Sequence, residues 1–310
     1  MKRNRYIGYF LLALTCLLTA CSSGSDDPSD PPVSPVPTDE KEEIKLNATA
    51  WNFMEGMRAT TFDNATSLQT EGSFTCGVYT ENTTTAYISP TTVNWENDKW
   101  EWSDGKHYWP ATGNLDFFAY MPATTPEYIT GPTYTADHNV AFTCTNLVMT
   151  TATEFIYAVK TGQNKANQGT TGVTLNFQHP FARINMQWAN YDHSAITSYS
   201  IKFKNIKNNG SYSEAASPQW TTTGDNTDLT VTSLDVNGAA SPTYYLVIPQ
   251  SWAGEIEVNA SWNDWGDTSV EHTLTTTVPT DWEPGYSYTY TFTISPDDLI
   301  VNISKFTEQW

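Results

Sequence analysis

The 310-residue chain is strongly acidic, with 34 Asp and Glu against 15 Lys and Arg and a formal net charge of −19. Nucleic-acid binding requires clustered Lys and Arg to neutralise phosphates, so this charge balance argues against that function class. Aromatic residues make up 14% of the chain and charged residues only 16%, and Thr, Gly and Pro are frequent. This composition favours an all-β protein, and the length predicts two domains.

The N-terminus has the pattern of a bacterial lipoprotein signal. Basic residues precede a short apolar run, Ile7–Leu18, which is followed by Thr-Ala-Cys. This run is shorter than the about 20 apolar residues that span a bilayer, so residues 1–20 are predicted to be a signal peptide. Cleavage between Ala20 and Cys21 would expose Cys21 for acylation, for example with palmitate, and more than one acyl chain gives stable membrane anchoring. The alternative is an ordinary secretory signal beside a chance cysteine.

Residues 21–43 are predicted to form a lipidated, disordered linker. The stretch is rich in Pro, Ser, Asp and Glu and shows no apolar periodicity, so it cannot bury enough apolar surface to fold. Its acidic run, Ser25–Asp27, resembles the export signal that sends Bacteroidetes lipoproteins to the outer face of the outer membrane. That resemblance implies a lipid-anchored protein on the cell surface.

The first predicted domain, residues 44–168, has the turn spacing of a β-sandwich. Its first predicted strand is Ile44–Phe53. Leu115–Tyr120 lies between breakers and carries large apolar groups on both faces, so we expect an interior strand that is covered on both sides. Asn97-Asp98 predicts a hairpin turn and Gly131-Pro132 a loop. A polar, Gly/Asn-rich stretch at 161–171 marks the predicted domain boundary.

The second predicted domain, residues 169–310, is also rich in alternating strands. Val173–Phe177 alternates strictly between apolar and polar residues, and Tyr286–Ile294 places aromatic side chains on one face. The last predicted strand alternates Leu299, Val301 and Ile303.

Five ordered segments of the chain resemble the fimbrillin family of Bacteroidetes lipoproteins, which build surface pili. They are HYWPATGNLDFFAYMP at 107–122, VTLNFQHPFARINMQW at 173–188, GSY followed by Trp220 at 210–220, YYLVIPQ at 244–250, and the PG-x-x-Y-x-Y run that begins at Pro284. The resemblance implies two transthyretin-like or Ig-like β-sandwich domains and a role as a structural or adhesive subunit of a fimbrium. Expected partners are other fimbrial subunits and the outer membrane, with host proteins or glycans as further candidates.

The resemblance also implies an assembly mechanism. In the family, a shaft subunit loses its first strand to a protease, and an extended segment of a neighbour fills the groove. Here the strand to be lost would be Ile44–Phe53, with maturation cleavage at Arg58, and the donor strand would contain Leu299, Val301 and Ile303. The alternatives are that Arg58 is an ordinary loop residue and that the last strand belongs to its own domain. The sequence does not distinguish a shaft subunit from a tip or an anchor.

The sequence contains no recognisable catalytic or cofactor-binding motif, so we expect no enzymatic activity, no cofactor and no metal site. The five histidines are scattered along the chain, and the Asp225–Asp228 stretch is predicted to be a turn with too few oxygen ligands for calcium. Cys76 and Cys144 remain after signal removal and acylation. Export permits a disulfide between them, and two buried free thiols are the alternative.

The rival function is glycan binding by a surface lipoprotein, because exposed aromatic rings stack on sugar faces. The candidate side chains are Trp95, Trp100, Trp102 and Trp109. An exposed coplanar row of these rings would favour glycan binding, whereas their burial would favour a role in packing.

Overall fold

The computed structural model describes residues 41–50, 64–190, 196–232, 244–263, 269–295 and 298–306. The predicted signal peptide, Cys21, Arg58 and His193 lie outside the described residues. A compact unit begins at Lys41. Glu42 and Glu43 already make hydrogen bonds within this unit, so folded structure begins before the predicted end of the linker at residue 43.

The regular secondary structure of the described residues is almost entirely β, with α1 as the one helix among them, which confirms the predicted all-β class. The elements in chain order are β1 Leu46–Ala50, α1 Ala65–Glu71, β2 Ser73–Thr80, β3 Ala86–Glu96, β4 Lys99–Trp102, β5 Leu115–Met121, β6 Ile129–Tyr134, β7 Val140–Cys144, β8 Ile156–Gln163, β9 Val173–Phe177, β10 Ala182–Asn190, β11 Ile196–Ser213, β12 Trp220–Val231, β13 Tyr244–Val247, β14 Ser251–Trp252, β15 Glu255–Asn263, β16 Ser269–Thr277, β17 Thr280–Asp281, β18 Ser287–Ser295 and β19 Asp298–Phe306.

The first large sheet has seven strands in the order β8-β5-β2-β3-β4-β1-β9. The sheet curls back on itself, so that its two end strands, β8 and β9, approach each other. The backbones of Tyr157 on β8 and Gln178, directly after β9, exchange hydrogen bonds of 2.7 and 3.2 Å. Its interior is a core, here called the first core, that includes Phe74, Phe117 and Phe177. The interior position of β5 is confirmed, since Phe117 faces the first core and Phe118 belongs to a second one.

The second core lies among the remaining sheets. One sheet has the order β13-β10-β18-β19, and another has the order β16-β15-β11-β7-β6, with β12 also paired to β11. Alternating aromatic residues on β18, such as Tyr288 and Phe292, are buried in this core. The long strand β11 organises the larger sheet, because β15 pairs with its first half and β7 with its last residues.

Strand pairing crosses the predicted domain boundary at residues 168 and 169. The strand β9 follows that boundary but pairs in parallel with β1 in the first sheet. The strands β6 and β7 precede it, yet β7 pairs with β11 in the second group of sheets. The two cores are therefore built from interleaved parts of the chain.

Two local predictions differ from the structure, and one helix has no counterpart among the predicted elements. This helix, α1, follows the first strand in the chain; it is capped by Asn64 at its start and ends at Gly72 with φ +83°. The predicted loop at Gly131-Pro132 is strand β6, and the predicted turn at Asp225–Asp228 lies within β12. By contrast, the hairpin at Asn97-Asp98 is confirmed, with φ values of 52° and 61°.

Candidate functional site: the groove that holds the first strand

The first strand, β1, occupies an asymmetric position in the first sheet. It pairs in parallel with β9 along its whole length, from Leu46 beside Val173 to Ala50 beside Phe177. On its other side, within the described residues, the register with β4 consists of Leu46 opposite Trp100. Residues 46–50 are therefore held mainly by β9. The residues just before them also pair on the other side, where the Ile44 N–H donates to the His107 carbonyl at 2.8 Å and the Trp109 N–H donates to the Glu42 carbonyl at 3.0 Å.

Alternate side chains of the β1 segment fill the first core. Ile44, Leu46, Ala48 and Ala50 are all buried. The intervening residues point the other way, and the Thr49 hydroxyl donates a 2.6 Å hydrogen bond to Oδ1 of Asn176 on β9. This period of two is that of a strand with one face in the core. Without β1, the sheet would have an apolar groove between β4 and β9.

The N-terminal end of this segment is fastened by a polar cluster, here called the anchor. The Gln168 Nε2 donates to Glu42 Oε1 at 2.7 Å and to the Glu43 carbonyl at 3.3 Å, and the Gln168 Oε1 accepts from the Lys45 N–H at 3.4 Å. Lys106 Nζ lies 2.9 Å from Glu43 Oε2, and Lys165 Nζ lies 3.8 Å from Glu42 Oε2. The lysines are largely exposed, so the buried Gln168 amide is the more selective contact.

The loop that carries the anchor approaches the strand closely at Gly172. This residue has φ +96°, and a Cβ added there would lie 2.4 Å from the carbonyl carbon and oxygen of Lys45. The Val173 N–H donates a 2.8 Å hydrogen bond to the same carbonyl. Gly172 is thus required by both its backbone conformation and the space available.

Between β1 and β4 the sparse pairing leaves a cavity of about 600 Å³. It is lined by Trp95, Trp100 and Trp102 and by polar residues that include Lys99 and Lys106. A second, more polar groove of about 680 Å³ lies along the Asn- and Thr-rich parts of β7, β11 and β12. The groove at β1 is the one that adjoins an apolar core.

The tryptophans proposed for glycan binding do not form an exposed row. Trp100, Trp102 and Trp109 are buried. Trp95 is partly buried and packs edge-on against Trp100, with ring centroids 5.2 Å apart. Their arrangement matches the packing alternative.

The predicted donor residues lie in the last strand of their own chain. The strand β19 pairs antiparallel with β18, so that Leu299, Val301 and Ile303 stand opposite Ile294, Phe292 and Tyr290. The strand order places β19 at the edge of its sheet. In the structure, β19 is therefore an edge strand that pairs with β18 of its own chain.

The two cysteines lie in different cores. Cys76 belongs to the first core and Cys144 to the second, and both are free thiols. Burial raises the pKa of Cys76 and raises that of Cys144 to about 12. The structure thus has no Cys76–Cys144 disulfide, because strand alternation places each thiol inward but in a separate core.

The buried carboxylate of Asp116, which sequence reasoning missed, contacts three separate parts of the chain. Asp116 accepts hydrogen bonds from the Asn82 N–H at 2.9 Å and the Gly162 N–H at 2.8 Å. His138 Nδ1 lies 3.5 Å from this carboxylate and 2.5 Å from the Tyr134 hydroxyl. Burial raises the pKa of Tyr134. The cluster fastens the β6–β7 hairpin to the first sheet.

Among the described residues, no group of three or more His, Cys, Asp or Glu side chains is arranged to hold a metal ion. In the same part of the chain, no helix is long and apolar enough to cross a membrane.

The fold and groove define an all-β protein with interleaved cores and a first strand that lies between β4 and β9. A family model described as fimbrillin-like matches residues 58–310. The chain therefore belongs to the fimbrillin-like family, as its sequence segments predict.

Solved structures from three Bacteroides species share the fold. A candidate cell adhesion protein from Bacteroides uniformis is 14% identical, with a TM-score of 0.56 over 86% of this chain and 99% of that one. A fimbrial protein from Bacteroides vulgatus is 13% identical, with a TM-score of 0.55 over 85% and 98%. A candidate cell adhesion protein from Bacteroides ovatus is 15% identical, with a TM-score of 0.51 over 85% and 96%. Among the curated proteins, none matches the chain significantly.

Proposed function

We propose that this protein is a surface-exposed, lipid-anchored fimbrial subunit that polymerises by exchanging its first strand for a strand of a neighbouring subunit. Membership of the fimbrillin-like family supports the role in a fimbrium. The observation that carries the exchange mechanism is the position of β1, which fills an apolar groove but has a full-length partner on one side alone within the described residues.

Removal of β1 would expose a groove that a new strand can fill. Burying a side chain such as Ile44 or Leu46 contributes about 1.5–3 kcal/mol each, and the sheet would also lose the hydrogen bonds along β9. A neighbour's strand that restores both is favoured for the same physical reasons that hold β1 in place. Because donor and acceptor surfaces differ, the contact is head-to-tail and produces an open filament.

The family match covers residues 58–310, so β1 lies before the matched region. Arg58 is the proposed maturation site. The proposed donor is β19, which contains Leu299, Val301 and Ile303 and has β18 as its sheet neighbour. As an edge strand, it can leave with the loss of one sheet partner.

Export and anchoring rest on the N-terminal sequence. Cleavage after Ala20 and acylation of Cys21 would fix the new subunit to the outer membrane before assembly. Cleavage at Arg58 would then release the subunit from its lipid and open the groove in the same step. No enzymatic activity is part of this proposal, and the packed tryptophans give glycan binding no specific support.

The test is the mass of subunits from assembled fimbriae, compared for wild type and Arg58→Ala. Wild-type subunits are expected to lack residues 21–58, and Arg58→Ala is expected to remain unassembled with those residues attached. Lys41→Ala is the matched control for loss of a basic residue upstream of the site. Fimbriae whose subunits retain residues 21–58 would contradict strand exchange.

A further inference from the structure

The C-terminal segment of the chain repeats the chemistry of the segment that β1 occupies. Residues 42–51 read EEIKLNATAW, and residues 297–306 read DDLIVNISKF. Both begin with two acidic residues, continue with branched apolar residues at the third and fifth positions, have Asn at the sixth, a hydroxyl residue at the eighth and an aromatic residue at the tenth. This correspondence aligns the last strand with the first in one specific register.

The anchor recognises features that the two segments share. Gln168 is 5% exposed; its Nε2 donates hydrogen bonds to the Glu42 carboxylate and the Glu43 carbonyl, and its Oε1 accepts one from the Lys45 N–H. Lys106 and Lys165 add positive charge beside Glu43 and Glu42. Loss of the β1 segment would leave a buried amide and two lysines without these partners, and such a site selects an acidic strand.

We propose that the groove accepts the C-terminal strand of a second copy in the register that places Asp297 and Asp298 at the positions of Glu42 and Glu43. The anchor then binds the two carboxylates, and this binding sets the register of the donor strand in the groove. This inference rests on the proposed strand exchange and adds to it the chemical identity of the recognition element.

The acidic pair makes neighbouring registers unfavourable. A shift by one residue would turn the apolar side chains Leu299 and Val301 away from the core. A shift by two residues that moves Asp297 to the place of buried Ile44 would desolvate a carboxylate without a partner, which is strongly unfavourable. The acids therefore act as a stop at one end of the groove.

Two positions of the donor differ in size from β1. Ile303 would replace Ala48, so the donor offers more apolar surface to the groove than the strand that it replaces. Lys305 would replace Ala50 near the end of the strand, where a long side chain can extend its charged group to water.

A charge-swap experiment on the full-length chain tests this register. Asp297→Lys with Asp298→Lys should lower the yield of polymer by about tenfold or more, because like charges would meet at the anchor. Adding Lys106→Glu and Lys165→Glu to the same chain should restore most of the yield. Glu96→Lys with Glu271→Lys is the control, since it changes the net charge equally at exposed positions elsewhere.

A second variant tests the buried amide without reversing any surface charge. Gln168→Glu is isosteric and would place a carboxylate against the donor's acids, so it should also lower the polymer yield by about tenfold, at 1.4 kcal/mol per factor of ten. Polymerisation of the Asp297/Asp298 variant at the control level, failure of the swap to rescue a folded chain, or wild-type assembly of Gln168→Glu would each overturn the proposed recognition. Retention of residues 21–58 in wild-type polymers would instead overturn strand exchange itself.

Discussion

Gly172→Ala should loosen β1 selectively, and Gly169→Ala in the same loop is its matched control. Both glycines have positive φ, +96° and +70°, so alanine brings backbone strain of roughly 1–2 kcal/mol at either position. A Cβ at residue 169 meets nothing within 4 Å, whereas one at residue 172 lies 2.4 Å from the Lys45 carbonyl group. The difference between the two variants therefore measures the displacement of the β1 segment.

The magnitude of that difference follows from what Lys45 holds in place. Its neighbours Ile44 and Leu46 are buried, and partial loss of their packing, at about 1.5–3 kcal/mol for each side chain, predicts an additional cost of about 3 kcal/mol. At roughly 2–4 °C per kcal/mol for a unit of this size, Tm of Gly172→Ala should fall about 6–12 °C below that of Gly169→Ala.

Thermal unfolding measures the Tm difference between the two variants, and hydrogen exchange shows which part of the chain is destabilised. The amides of residues 44–50 and Val173 should exchange faster in Gly172→Ala, while those of the second core, such as Ile256 and Val258, should change little. Equal Tm values for the two variants, with unchanged exchange in the β1 segment, would refute the inferred dependence of β1 on this close approach.

Three further predictions concern other parts of the chain. Cys21→Ala should abolish acylation and the signal cleavage that depends on it, as read from the mass and membrane fraction of the protein; unchanged anchoring with a normal mature N-terminus would contradict the lipid assignment. Cys76 and Cys144 should resist thiol reagents in the native protein at about pH 8, because burial raises both pKa values, and both should react after denaturation; a mass lower by two hydrogen atoms would reveal a disulfide instead. Burial raises the pKa of Glu214 in the folded state, so its contribution opposes folding as the pH rises above the ordinary carboxyl range. Glu214→Gln should therefore raise Tm at about pH 7 and leave it unchanged at about pH 3, and an equal or lower Tm near neutrality would contradict this.

The strands with strong alternation or clear breakers were predictable from the sequence. The interior strand β5, with Phe117 and Phe118 on opposite faces, follows from its two-sided apolar pattern. The β3–β4 hairpin follows from Asn97-Asp98, whose side chains tolerate positive φ. These features depend on neighbouring residues, so local physical chemistry determines them.

Some local errors had signals that could have corrected them. The start of α1 combines Asn64 with Ser67 in a reciprocal cap, and Gly72 supplies the left-handed end. The stretch Asp225–Asp228 has turn-like composition, but β11 supplies strand partners for its two central residues, Asn226 and Thr227. In the second case tertiary pairing overrides the preference of the polar residues.

The site could be predicted only in part. Its strand was predicted as Ile44–Phe53, but its parallel partner β9 could not be, because a local pattern can indicate a strand and does not identify its neighbour in the sheet. Gln168 is separated from Glu42 by 126 positions, and nothing in its polar, Gly/Asn-rich surroundings distinguishes it. The partners of Asp116 are distant in the sequence as well, since Asn82 and Gly162 lie 34 and 46 positions away.

Disulfide trapping in assembled fimbriae tests strand exchange most directly. Thr49 and Asn176 are adjacent across β1 and β9, and Ser304 is the residue that replaces Thr49 in the proposed register. Asn176→Cys with Ser304→Cys should give a ladder of covalently linked subunits after oxidation, whereas Asn176→Cys with Thr49→Cys should link within the unassembled subunit and give no link in the fimbria. A within-subunit link between positions 49 and 176 in fimbriae, together with no ladder from positions 176 and 304, would show that β1 stays in its groove and that assembly proceeds without it.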